Sequence, residues 1–135
     1  SGNKMSAETA VQGALYSALS ALGLRVVDAG QQAADGGLST AFPFVEIGMV
    51  VMSPFDTARE TGHAFVARIH TRSASASMAE TKGIQGQIYD RLHRGNLTVT
   101  GHHFILLQRD RSEVLRAPSG AFHGVCEYRG LIEKT

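Results

Sequence analysis

The sequence predicts an α+β fold: a mainly antiparallel β-sheet with two α-helices packed on one face. Three observations carry this expectation. Apolar residues recur at helical spacing in two stretches, through Val11, Leu15 and Ala18 in the first and Ile84, Ile88 and Leu92 in the second. Elsewhere apolar residues alternate with polar or bulky ones, as in Phe65-Val66-Ala67-Arg68-Ile69, which is the period of a strand with one buried face. The order of the stretches is helix, strand, strand, strand, helix, strand, strand, so strands come in runs, as in α+β domains.

Each element has local support. Ser6 can cap the first helix, with Glu8 in its first turn, where the helix dipole favours negative charge. Val11, Ala14, Leu15, Ala18 and Leu22 form its apolar face, and Gly23 is a natural stop. Residues 24–28 read as a short strand. Residues 31–41 contain Gly36-Gly37 and almost no apolar side chain, so they read as a loop able to bury little. Residues 42–52 are the most apolar run and read as a central strand. There Val45, Ile47, Met49 and Val51 share one face, and Phe44, Glu46 and Gly48 the other. Pro43 lacks a donor and belongs at its start. Residues 53–61 read as a second polar loop, opened by Pro54 and carrying the apolar Phe55.

The strand around residues 65–69 places Phe65, Ala67 and Ile69 on one side and Val66, Arg68 and His70 on the other. The Ser/Ala run 73–77 breaks the alternation. Ser77-Met78-Ala79-Glu80 matches a capping box, and Gly95 is placed to end the second helix in a left-handed conformation. Gly83 and Gly86 inside that helix suggest close packing on the sheet, at about 1 kcal/mol each relative to alanine. Residues 98–109 read as a strand centred on Phe104 to Leu107, with an irregular start near Gly101. A short strand at 113–116 and the turn Ala117-Pro118-Ser119-Gly120 then lead into a long last strand, 121–132. In it Phe122, Cys126, Tyr128 and Ile132 oppose His123, Val125, Glu127 and Arg129.

Length and composition set bounds. The chain has 135 residues, 43% hydrophobic and 19% charged, which fits one globular domain. Residues 1–4 precede a methionine and are expected to be an expression remnant, leaving 5–135 as the domain. A net charge of +1 implies no general affinity for nucleic acid or anionic membrane. No apolar run reaches the roughly 18 residues of a membrane span, and no secretory signal is visible. A single cysteine, Cys126, excludes an internal disulfide and suits a reducing cytoplasm.

A search for chemistry returns little. His102 and His103 are adjacent, and His63 and His70 lie an odd number apart, so each pair faces opposite ways in a regular strand. His93 stands at a helix end. No Cys/His spacing resembles a zinc site. Cys126 reads as a small buried hydrophobe, with His123 pointing away from it. There is no nucleophile elbow, P-loop or dinucleotide fingerprint, and Asp56 and Glu60 form no marked carboxylate pair. The expectation is a protein without catalytic activity, cofactor or metal. Its long polar loops and long apolar strands point to assembly with partners.

Five phrases carry a family resemblance: AETAVQGALYSAL, FPFVEIG, VARIHTRSASASMAETKGI, LTVTGHHFILL and SEVLRAPSGAFHGVCEYRGLIE. Together they resemble the tail-completion or tail-terminator proteins of long-tailed phages, over nearly the whole chain. The last phrase is the most specific. Relatives show an arginine-x-proline-x-glycine turn, then an aromatic, His and Gly, here Arg116, Pro118, Gly120, Phe122, His123 and Gly124. Ala117 stands where aspartate is common, and Phe122 where tryptophan is common.

The resemblance implies a ring of self-associated subunits, generally a hexamer, seated on the finished tail tube protein. Such a ring ends tube polymerisation and docks on the head-tail connector or stopper protein, with DNA only passing through the lumen. It implies location in the virion tail or neck after assembly in the host bacterial cytoplasm, with no membrane involvement. The resemblance leaves a phage, a prophage and a gene transfer agent open as the source. The alternative is another neck component, a stopper or adaptor. Candidate interface residues follow. Phe55, an apolar aromatic on a polar loop, suits an anchor, and the loop with Gly36 and Gly37 suits contacts with adjacent subunits or the tube. Arg109, Arg111 and Arg116, read as clustered around the last turn, are either a solvated hairpin end or a surface facing an acidic partner or the lumen.

Overall fold

The computed structural model describes residues 6–28, 42–54, 62–74, 77–118 and 120–135. Its element order is α1 (Ala7–Ser20), β1 (Val26–Asp28), β2 (Phe44–Ile47), β3 (Val51–Pro54), β4 (Gly62–Ser73), α2 (Met78–Leu92), β5 (His102–Arg116) and β6 (Phe122–Lys134). The strands form one six-stranded sheet in the order β1-β2-β4-β6-β5, with β3 also paired to β4. Only β1 and β2 run parallel; every other pairing is antiparallel. Both helices lie on one face, α1 over β1 and β2, α2 over β4, β6 and β5. The expected fold class is therefore the observed one.

Both serines that the sequence marks as helix starts serve as N-caps. Ser6 Oγ accepts from Thr9 N at 3.1 Å, and Ser77 Oγ accepts from Ala79 N at 3.1 Å. Glu80 accepts a hydrogen bond from Ser73 Oγ, tying the first turn of α2 back to the end of β4. The core lies between helices and sheet. Ile84, Ile88 and Leu92 of α2 and Val11 and Leu15 of α1 meet Ile69, Cys126, Tyr128 and Ile132. Each fully buried branched side chain there contributes about 1.5–3 kcal/mol of transfer free energy. In α1 the buried residue of the last turn is Leu19, not the expected Leu22, which is 36% exposed, because the helix ends at Ser20 before Leu22 can turn inward.

The largest correction concerns residues 42–52. They do not form one strand. Ile47 pairs with Ile69 and Val51 with Val66, so Gly48, Met49 and Val50 span a gap that β4 crosses in two residues. This bulge shifts the alternation by one. Val50 is buried at 3% exposure, whereas Met49 and Val51, expected inside, are 71% and 62% exposed. Val45 and Ile47 are buried as expected. The strand after the bulge also runs through Ser53 and Pro54, which had read as loop.

Three further corrections follow. The separate strands at 98–109 and 113–116 are one strand, β5, which starts later and stays paired to β6 across two irregularities, at Ile105 and at Asp110. Arg94, not Gly95, takes the left-handed conformation after α2, with φ 58°. Gly95 is needed for close approach instead, since a Cβ there would strike the Arg91 carbonyl oxygen. Added methyl groups at Gly83 and Gly86 would meet nothing within 4 Å, so these are not packing positions. The tight helix–sheet approach is at Gly124, where a Cβ would run into Gln85 and Thr81 of α2.

Candidate interaction surface

The sheet face away from the helices is open and carries a lattice of charges. Arg72 and Glu46 pair at 3.1 Å, Arg68 and Glu127 at 3.1 Å, Arg129 and Asp110 at 3.0 Å, and Arg111 and Glu113 at 2.9 Å. Strand periodicity puts these residues on one side, where the pairings of β2 with β4, β4 with β6 and β5 with β6 bring partners together, Arg111 and Glu113 being two apart on β5 itself. Among them, His70 Nδ1 and His123 Nε2 stand 2.9 Å apart, with ring centroids at 5.1 Å. One ring must donate and the other accept, so the bond requires at least one unprotonated nitrogen. Burial lowers the pKa of both imidazoles; Arg72 lowers them further, and Glu46 opposes this.

Sequence reasoning did not foresee this pair, nor the edge-on contact of His63 with His102 at 6.2 Å. The facing of each histidine was readable, but its neighbour depends on strand register. The expected opposition of His123 and Cys126 holds, because Cys126 lies under the helices. Burial raises the Cys126 thiol pKa, with Arg109 opposing. Tyr128 is likewise buried and pushed upward by burial. Arg109 stands near enough to lower both groups without forming a well-angled bond to Tyr128 Oη. Among the described residues no three His, Cys, Asp or Glu side chains converge as a metal site, and no helix is long and apolar enough to cross a membrane.

The three arginines are not brought together. Arg109 is half-buried on the helix side, its guanidinium carbon 4.3 Å above the Tyr89 ring. Tyr89 stacks on His93 at 4.5 Å, and His93 Nδ1 accepts from Arg109 N at 3.0 Å. Arg111 lies on the open face, paired with Glu113. Only Arg116 stands at the hairpin end, 4.9 Å above the Phe122 ring. The turn there is closed by Ala117 N to Ala121 O and Gly120 N to Ala117 O, each 2.8 Å. Phe55, Gly36 and Gly37 lie outside the described residues, as do Asp56 and Glu60.

Among the described residues, clefts mark the surface. One of about 560 Å³ runs along the small side chains of α1, including Gly13, Ala14 and Ser17, toward Arg91. One of about 330 Å³ lies beside the bulge, between Met49, Val51 and Arg68. The third, about 420 Å³, separates α2 from β5 and is lined by Lys82, Gln85, Arg109, Ser112 and Glu113. Within it Gln85 Nε2 donates to Glu113 O at 3.1 Å. Two more contacts join the end of α2 to the outer side of β5: Arg94 N donates to Leu107 O at 2.8 Å, and His93 takes Arg109 N as above.

Comparison with known proteins gives three results. The sequence matches the model of a family described as "Tail completion protein gp17" over residues 9–133. No curated protein matches it. A solved structure titled "Virion of native gene transfer agent (GTA) particle" contains a chain of similar fold, with TM-score 0.78 and 18% sequence identity. The likeness covers 96% of this chain and 99% of that one, and at this identity it speaks to the fold.

Proposed function

We propose a tail-terminator role from one premise: the chain belongs to the tail completion protein gp17 family. Membership carries a structural role in a phage-type tail. The finer reading is that copies of this domain form a ring on the end of the tail tube. The ring stops addition of tube subunits and presents a surface to the head-side connector. DNA crosses only its lumen.

The observation that carries this reading is the family match over residues 9–133. The surface agrees with it. Bulk apolar side chains such as Met49 and Val51 project from a sheet edge, and clefts lie on the helix side, so the chain offers unlike patches of the kind a head-to-tail ring joins. We also read the chain as non-enzymatic. Its one thiol is buried with a raised pKa, the opposite of the setting that activates a cysteine.

Electron microscopy of tails assembled without this protein tests the role. Tubes of variable, excessive length that join no heads are expected. Tubes of normal, uniform length would overturn the reading.

A further inference from the structure

The cleft between α2 and β5 holds two cationic side chains, Lys82 and Arg109, that form no ion pair among the described residues. Its one acid, Glu113, is held by Arg111 at 2.9 Å through its carboxylate and by Gln85 through its backbone oxygen. Arg109 is fixed over Tyr89, while Lys82 is exposed on the outer side of α2. The cleft is thus a preformed, positively charged recess at the β5 end of the sheet.

At the opposite end of the sheet, α1 covers β1 and β2. Its first turn carries Glu8, exposed and without an ion pair among the described residues. Of the other described acids, Asp90 is on α2 itself, Glu133 is on the inner strand β6, Glu80 is tied to Ser73, and Asp28 is partly buried on β1. Among these described acids, Glu8 is the exposed one that lies neither on α2 nor on the sheet.

We propose that the α2–β5 cleft is the acceptor half of a contact between subunits, taking the Glu8 carboxylate at the start of α1 of a second copy of this chain. Donor and acceptor are different patches of one chain, one on α1 and one between α2 and β5, so the contact is head-to-tail. Repeated with a constant rotation it closes a ring. The inference rests on the ring reading above and adds which surfaces meet.

Charge exchange tests it in the full chain. Lys82→Glu and Glu8→Lys each place like charges across the contact and are expected to weaken each contact about three- to tenfold; the double variant restores it. Added salt weakens the wild-type contact, because the charges are exposed and screened. Sedimentation velocity reads the association. Where the wild type sediments as a monomer, the length of tails built with each variant as sole copy gives the readout instead. Lys82→Gln and Glu8→Gln serve if a reversal disturbs folding, which circular dichroism reports.

A second arm uses Glu8→Cys with Lys82→Cys and a short bifunctional maleimide on assembled tails, with Cys126 buried and out of reach. A ladder of linked subunits is expected. Single variants that assemble like the wild type, a double variant that fails to recover, or regulated tails with no cross-link would each overturn the proposal. The ring reading fails separately, if tails lacking the chain have normal uniform length.

Discussion

Replacing Gly130 with alanine probes the packing at the middle of the sheet. Gly130 lies directly opposite Phe65 in the β4–β6 register, and both are buried, Phe65 at 1% exposure. The Phe65 ring lies across the glycine. An added Cβ would sit 2.5 Å from Cε1 and 2.9 Å from Cε2, with Cζ closer still. Carbon atoms prefer roughly 3.5–4.0 Å, so the ring would have to move by about 1 Å in a close-packed core. Overpacking of this kind costs about 1–3 kcal/mol, which lowers Tm by roughly 4–12 °C for a domain of this length. Thermal unfolding followed by circular dichroism measures it. Phe65→Leu supplies the control: it leaves a void in the wild type but makes room in Gly130→Ala. The double variant is therefore expected to recover about 1 kcal/mol relative to the sum of the singles. A Gly130→Ala protein melting with the wild type, or costs that simply add, would refute the argument.

Two other expectations are independent of this one. His70 and His123 have folded-state pKa values lowered below the 6.5 of a free imidazole, chiefly by burial. The unfolded chain therefore binds protons more readily; stability is complete above pH 6.5 and is lost as pH falls through 6.5 toward the folded values. Urea midpoints at about pH 7.5 and pH 5.5 read this slope, and His123→Gln flattens it; an identical slope in the variant would sink the assignment to this pair. The bulge makes the second expectation. Met49→Asp changes stability by no more than about 0.5 kcal/mol, whereas Val50→Asp costs more than about 3 kcal/mol by burying an unpaired charge. Equal effects at the two positions would show that the alternation is not shifted.

Much of the fold was legible in the sequence. Strict alternation in β4 and β6 identified their buried faces residue by residue, and Ser6 and Ser77 marked both helix starts. What failed was register. The run Gly48-Met49-Val50-Val51 is apolar in either phase, so nothing local says which side chains turn inward; the partner strand decides. The irregularities at Ile105 and Asp110 likewise exist only in the pairing of β5 with β6. The same limit hid the interaction surface. His70 and His123 meet through strand register. Arg109 looked like a hairpin charge because its aromatic partner, Tyr89, lies on a helix whose docking no local pattern encodes. Lys82 gave no signal at all, since an exposed lysine on a helix is commonplace until the cleft beside it is seen.

The link between the end of α2 and the outer side of β5 has a consequence for how copies can grow together. A bare edge strand invites another strand to zip onto it, and the product of that reaction has no natural size. Here Leu107 O, Arg109 N and Glu113 O, three of the outward groups an incoming strand would use, are already taken by Arg94, His93 and Gln85. On the other side of the sheet the border is made of β1, three residues long, and β3, four residues long. Among the described residues, neither border offers a long uninterrupted template. A molecule proposed to halt the growth of a polymer is thereby itself guarded against open-ended growth through its backbone. That favours contacts between copies through side chains, whose geometry can fix a finite number of subunits.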